Sequence, residues 1–473
     1  MKGKPPKNLR LQIELVPAPL WNRTLAHLSR TREGRTLWDR IREVERKRAG
    51  GSCETCGQPT DDVHEKWEYD DGGLIQRLRG FEVLCEECHL VHHQGFASVH
   101  GLGDIALKQF IKVNALSKKS ATPILRSAFD LWAARSAKSP WTQDFSWLVS
   151  KAQEYGLEPD QIEESLEPLL EPDGAYEWSE LCGVPTIGPV RAEILEGMGI
   201  QSIEQLATTE PSDLAAKLSS SKIRDLSFLA QVPMTVRFAR ALQKREPNVV
   251  AHPPLLLNLG EPEILFVDLE YDPQDAFIFL IGTMTMGGKV DQDFIKKPGQ
   301  LPRALSRFLR RVAGGGLRCV SYGSTSADVP MLKRGAANAK LESSLVDRLP
   351  FLDLFRDVIF TQRPRKQWLY LPLKPMDAKS VAHYFGYDPP KNLAIHDGFE
   401  ALIRYKEYAR TRNPRIRKQL LRYNASDLRL TRRIFEELRN LEAGRADIQR
   451  YRPPEPLRAR LSSSAMASSD DFD

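Results

Sequence analysis

The chain has 473 residues, 41% of them hydrophobic, which allows two to four domains with real cores. No apolar run reaches the roughly 18 residues of a membrane-spanning helix, and the opening residues MKGKPPKNLR lack the apolar middle of a secretory signal. A net charge of +6 at pH 7 is mildly basic, which suits a nucleic-acid partner without demanding one. These features exclude membrane-embedded and secreted classes and predict a soluble, cytoplasmic protein.

Residues 1–120 carry two Cys-x-x-Cys pairs, Cys53/Cys56 in CETCG and Cys85/Cys88 in LCEECH. Four thiolates in two such knuckles suit one tetrahedral Zn²⁺ with every position filled, hence a structural ion. In a reducing compartment this reads as a metal site, with Cys182 and Cys319 as separate buried thiols. His64 lies in DVHEKW, and His89, His92 and His93 follow the second knuckle. With LQIELVPAPLWNRTL and ALKQFIKVNAL, these stretches (residues 9–116) resemble a zinc-stapled HNH nuclease domain, a ββα fold. The resemblance implies His64 as general base and His89 or His93 as ligand to one divalent metal. Val63 stands before His64, and Gly80 stands where the middle Asn of that motif is expected, so Asp61, Glu65 or Glu82 is the substitute ligand. His92 and His100 are expected at the surface.

Residues 121–250 show helical periodicity and no good strand signal. Within 176–215, LCGVPTIGPVRAEILEGMGI places Gly188 in a short turn punctuated by Pro185 and Pro189. It resembles a helix-hairpin-helix, with Thr186 in place of the first glycine. The resemblance implies that backbone N–H groups around Gly188 and Val190, with the charge of Arg191, meet a nucleic-acid phosphate. A Pro-rich linker over 251–262 follows.

From 263 to 441 strand and helix patterns alternate. ILFVDLEYDP ends an apolar run with Asp268 and Glu270, which a strand's period of two puts on one face, with Leu269 turned to the other. DAFIFLIGTMTMGG reads as the next strand of a hairpin. LRCVSYGSTSADVPMLKR reads as strand, polar turn, and a helix opened by Asp328. In RKQLLRYNASDLRLTRRIFEELRNL, Leu428, Thr431, Phe435 and Leu438 form a buried helical stripe, and Tyr423 and Asp427 share the adjoining face. Acids from three segments are what a pair of divalent cations needs, and hard Mg²⁺ or Mn²⁺ prefers oxygen.

FVDLEYDP, VSYGSTSADVPMLKR and YNASDLRLTRRIF together resemble the three motifs of DEDD-type 3′–5′ exonucleases of the ribonuclease H-like superfamily, nearest the RecB-like or YprB-like group. The resemblance covers residues 263–441 and implies an α/β fold on a mixed sheet. It assigns Asp268, Glu270, Asp328 and Asp427 to two Mg²⁺ or Mn²⁺ ions and Tyr423 to orienting the attacking water. GSTSAD replaces the family's usual Asn-containing stretch, Asp353 is a supporting acid, and His396 a loop residue. The Ser/Asp-rich end, 442–473, is expected to be disordered.

Basic runs over 30–51 and 404–422 read as phosphate tracks. The expectation is a multidomain, metal-dependent nuclease acting on DNA: a zinc-stapled ββα domain that binds or nicks, a helical hairpin region, and a DEDD-type exonuclease domain. The alternatives are a non-catalytic nucleic-acid-binding protein with degenerate nuclease domains, or an exonuclease directed at RNA. Nothing in the sequence names a protein partner.

Overall fold

The computed structural model describes residues 9–445 apart from 22, 29–31, 100–101, 171–178, 221–225, 251–254, 274–275, 342–343, 362 and 364–365. The chain forms two compact units, one of Met1–Ser179 with Gly188–Val190, the other of Glu180–Ile187 with Arg191–Asp473. No helix among the described residues is long and apolar enough to cross a membrane.

In the first unit, helix α1 (Arg32–Arg48) precedes an antiparallel hairpin of β1 (Asp62–Asp70) and β2 (Ile75–Leu84). Helix α2 (Glu86–His92) follows directly. The β1–β2 register slips between Lys66 and Trp67, opposite Gly80, whose φ of +146° favours glycine. Val63 and Trp67 point to one side of β1, into a core with Leu37, Trp38 and Ile41 of α1. On the other side, Cys88 and Val91 of α2 pack with Ala106 and Phe110 of helix α3 (Gly103–Val113).

Helix α4 (Lys118–Ser136) starts on the side chain of Ser117, which accepts from the Ser120 amide. A short strand, β3 (Thr142–Asp144), then pairs in parallel with β2. Helix α5 (Pro159–Leu170) adds Ile162, Leu166 and Leu169 to the core beside α1. The boundary expected at residue 120 therefore falls inside α4. Three residues of strand in a region with no strand signal pair with β2 residues 67 positions earlier, Ile75 with Thr142; such pairing leaves little local trace.

The second unit begins with a single 3₁₀ turn (Glu180–Gly183), then takes helix α6 (Pro189–Gly197) from Arg191 onward and, further on, helix α7 (Leu226–Lys244). One apolar cluster runs from Leu181 through Val232 and Phe238 of α7 to Phe266, Leu354 and Leu438. The helical stretch and the α/β region thus share a core. Strand β4 (Asn248–Val249) extends that union by pairing with a late segment, Leu369–Tyr370.

The main sheet has five strands: β5 (Ile264–Asp272), β6 (Phe277–Thr285), β7 (Val290–Phe294), β8 (Arg318–Ser321) and β9 (Phe351–Asp353). Leu369–Tyr370 is β10. The order is β7-β6-β5-β8-β9. The first three strands form an antiparallel meander, and β5, β8 and β9 are mutually parallel. Helix α8 (Leu301–Gly315) and helix α9 (Asp328–Asn338) cover one face. The shorter helices α10 (Ala378–Tyr384) and α11 (Gly398–Thr411) precede the long α12 (Pro414–Arg445), which lies on the other.

Strand β5 shows why layers form on both sides. Ile264 and Phe266 enter the α12 core, while Leu265, Val267 and Leu269 enter the α8 core. Phe266 meets Phe435 of α12 with ring centroids 5.7 Å apart, and Leu428, Thr431 and Leu438 are buried along the same stripe. The result is a helix–sheet–helix sandwich on a mixed sheet.

Residues 442–445, expected in a disordered tail, belong to α12, which continues to Arg445. Glu442 is fully buried and accepts the amides of Leu255, Leu256 and Leu257 at 2.7–2.8 Å. The expected linker is therefore anchored at 255–257, and its residues 251–254 lie outside the described residues, as do 446–473. Of the two separate thiols, Cys319 is buried and Cys182 half-buried.

Candidate functional sites

Strand β5 and helix α12 bring three carboxylates together. Ligand oxygens of Asp268, Glu270 and Asp427 lie within 4.8 Å of one another. Asp268 and Glu270 share the α12-facing side of β5, and the register slips just after Glu270. Tyr423, one helical turn before Asp427, is buried with its hydroxyl close enough to that carboxylate to act on it. Asp328, the first residue of α9, stands outside this close group but near enough for its charge to act on Asp268 and Glu270.

Asp353 does a different job. Fully buried at the end of β9, it accepts the amides of Gly323, Thr325, Phe355 and Arg356 at 2.7–3.3 Å. It thereby fixes the turn that leads from β8 into α9 and sets where Asp328 begins. His396 is a loop residue, and its carbonyl accepts from Lys379.

Burial raises the acids, and their mutual repulsion adds to it. Asp268 and Glu270 are pushed well above the usual carboxylate range, first by desolvation and then by neighbouring acids. Desolvation and Asp353 take Asp328 up to about 8, and desolvation takes Asp427 up to about 6. Such a group is unfavourable when fully ionised unless cations offset it. An all-oxygen donor set with this charge surplus fits hard divalent ions.

Asn424 was not among the residues expected to matter. It is fully buried, donating from Nδ2 to Asp268 Oδ2 at 2.6 Å and to the Asp268 carbonyl at 3.2 Å. Its Oδ1 accepts from Gln292 Nε2 at 2.8 Å. Gly282, paired with Asp268 across β5–β6, makes room: a Cβ there would sit 2.0 Å from Asn424 Oδ1. A lone glycine inside the apolar strand FIFLIGTMT was the available signal, since such glycines mark close approach.

In the first unit the four sulfurs of Cys53, Cys56, Cys85 and Cys88 lie within 4.8 Å of one another, with Cys56 and Cys85 3.4 Å apart. Gly57 turns the first knuckle with φ +79°, its amide donating to the Cys53 carbonyl at 2.8 Å. The second knuckle forms where β2 passes into α2. Gln109 Nε2 donates to Cys88 Sγ at 3.1 Å. All four are free thiols, and a tetrahedral thiolate set of this kind could hold zinc.

Beside this cluster, His64 of β1 converges with His89 of α2 and His93, their ring nitrogens within 4.8 Å. His89 Nδ1 lies 2.5 Å from Asp62 Oδ2 and its Nε2 2.9 Å from His93 Nε2. Asp62, rather than Asp61, Glu65 or Glu82, is the carboxylate at this group. Asp61 is exposed and paired with Arg46, Glu65 accepts the Leu25 amide, and Glu82 accepts from Thr55. His92, expected at the surface, is 5% exposed. Four consecutive positions at a helix end cannot all face water, and α2 turns this one towards β1. His100 lies outside the described residues.

In the helical hairpin, residues 176–178 lie outside the described residues, and the element before the turn is only the 3₁₀ turn. Gly188 and Val190 are exposed. Arg191 is committed internally: it donates to the Thr186 carbonyl, Gln231 and Ser227 and lies over the Phe228 ring. Thr186 is buried against Thr235. The expected free charge on the hairpin is thus an internal clamp. Of the basic runs, several α1 arginines are in ion pairs, whereas Arg415 and Lys418 of α12 are exposed.

No curated protein and no solved structure matches the chain. A family model described as RNase_H superfamily matches residues 265–439, the span from β5 to the stripe of α12. The chain therefore carries a ribonuclease H-like domain there, a type of domain that is typically nucleolytic, acts on nucleic acids and uses divalent metals.

Proposed function

We propose that the second unit is a metal-dependent exonuclease that removes nucleotides from DNA in the 3′–5′ direction. The observation that carries this reading is the convergence of Asp268, Glu270 and Asp427 beneath Tyr423. Two Mg²⁺ or Mn²⁺ ions held by these acids, with Asp328, would supply an activated water and stabilise the leaving oxygen. Asn424 holds Asp268 through its Oδ2 and its carbonyl, and so positions this carboxylate within the acidic group. Tyr423 keeps its proton, because burial and three nearby carboxylates hold its hydroxyl far above the usual phenol range. A protonated Tyr423 donates to Asp427 and leaves its oxygen lone pairs to align a water. Arg415 and Lys418 on α12 offer charge to the phosphate backbone.

In the first unit, zinc at Cys53, Cys56, Cys85 and Cys88 would staple the knuckles, and a divalent ion at His89 and His93 would face solvent. Asp62 orients His89 for that task, as carboxylates commonly do for ligating imidazoles. His64 is 5% exposed, which favours a module that grips nucleic acid over one that nicks it with His64 as base.

The test is cleavage of end-labelled single- and double-stranded DNA, and of RNA, with Mg²⁺ or Mn²⁺. Wild type is compared with Asp268→Ala, Tyr423→Phe and His64→Ala. Stepwise shortening that Asp268→Ala abolishes, and that Tyr423→Phe slows about 100-fold, is the expected result. Binding without cleavage in every metal would establish the non-catalytic alternative. Faster digestion of RNA would reassign the substrate, and nicks lost only in His64→Ala would give the first unit its own active centre.

A further inference from the structure

A second set of ligand atoms lies beside His64. Glu14, His64 and His92 each bring one donor to within 4.8 Å of the others. Glu14 comes from the extended segment that precedes α1, His64 from β1, and His92 from the end of α2. Three separate parts of the unit reach one point, so the set is no by-product of a single helical face.

The imidazoles there lack partners. His92 is 5% exposed, and neither of its ring nitrogens has a hydrogen-bond partner. His64, equally buried, has none at Nε2. The two rings lie 4.3 Å apart between centroids. Buried polar atoms are nearly always satisfied, and three orphaned nitrogens at one place ask for an explanation. Glu14 gives one oxygen to the Trp67 amide at 3.0 Å.

We propose that Glu14, His64 and His92 hold a divalent first-row transition-metal ion in the interior of the first unit, separate from the four-cysteine cluster. Two imidazoles and one carboxylate suit Zn²⁺ or Fe²⁺, and hard Mg²⁺ poorly. The ion would give the orphaned nitrogens their missing partner and offset the Glu14 carboxylate. It would add a tie from the N-terminal segment to β1 and α2, beside the Glu14–Trp67 hydrogen bond and the packing of Leu11 with Cys88 and Val91. An ion here uses His64 as ligand and removes it as a general base.

The experiment uses the full chain, stripped of metal and reconstituted with Zn²⁺, with anaerobic Fe²⁺, or with Co²⁺ as a spectroscopic probe. Metal per chain is counted by mass spectrometry after exhaustive dialysis. Co²⁺ at the cysteines shows thiolate charge-transfer bands, whereas Co²⁺ at nitrogen and oxygen ligands shows only d–d bands. Wild type is expected to retain one more nitrogen/oxygen-ligated ion than Glu14→Gln and His92→Ala, an ion that His93→Ala keeps. Glu14→Gln preserves an acceptor for the Trp67 amide, so it decides the matter if His92→Ala does not fold. Full retention in Glu14→Gln overturns the proposal, as does loss in His93→Ala alone, or the absence of any ion beyond the cysteine-bound one. Comparing the Zn²⁺ and Fe²⁺ arms identifies the ion.

Discussion

Asn424 Nδ2 lies 2.6 Å from Asp268 Oδ2, joining the helix of the acidic site to its strand, and Gly282 leaves just the space that contact needs. Gly282→Ala puts a methyl group where the Asn424 amide now sits. The amide must leave Asp268, which unpairs a buried oxygen. Metal affinity should fall about 10- to 100-fold, as for other lost outer-shell partners. Titration of Mn²⁺ into wild type, Gly282→Ala and Asn424→Ala measures this; unchanged affinity in both variants would show that Asp268 needs no such support.

The acids of the site make the metal-free protein sensitive to pH. Their folded pKa values are raised, to about 6 for Asp427 and about 8 for Asp328, so the folded state binds more protons than the unfolded chain between about pH 4 and 8. Stability is therefore highest at the acid end of that window and falls as pH rises through the folded values. Adding Mn²⁺ should raise the melting temperature more at pH 8 than at pH 5.5. Asp268→Asn should raise the metal-free melting temperature at pH 8 and blunt the response to Mn²⁺. A metal response equal at both pH values would argue against a shared carboxylate site.

Glu442 supports the second unit far from the acids. Its loss in Glu442→Ala leaves the amides of Leu255, Leu256 and Leu257 without their acceptor. Unmade buried hydrogen bonds cost about 1–3 kcal/mol each, and partial rescue by water should leave a net loss of about 2–4 kcal/mol. Urea denaturation reads the difference, and Glu442→Gln should recover part of it by keeping one acceptor.

Zinc stabilisation should be local. Chelation, or Cys88→Ser, would remove the proposed zinc staple between the first knuckle and the β2–α2 junction. Amide hydrogen exchange should rise over residues 53–92 and stay unchanged in β5, β6 and β8, which belong to the other compact unit. Equal loss of protection in both units would show that they unfold together.

Local chemistry was legible from the sequence, because short spacings follow from bond geometry. A period of two puts Asp268 and Glu270 on one side of β5, and a four-residue interval puts Tyr423 and Asp427 on one face of α12. Two Cys-x-x-Cys pairs announce their sulfurs in the same way. Tertiary packing decided what those faces meet. Asn424 gained its role from Gly282, 142 positions earlier in the chain, and Glu442 from amides nearly 190 positions earlier. His92 went inside because α2 rests against β1, and Glu14 reached it from a segment with no regular structure. The helical hairpin merged with the sheet domain through one core, and β3 extended the first unit beyond its expected end. Periodicity fixes which side chains stand together on an element; burial depends on the surface that covers them, and that surface comes from distant parts of the chain.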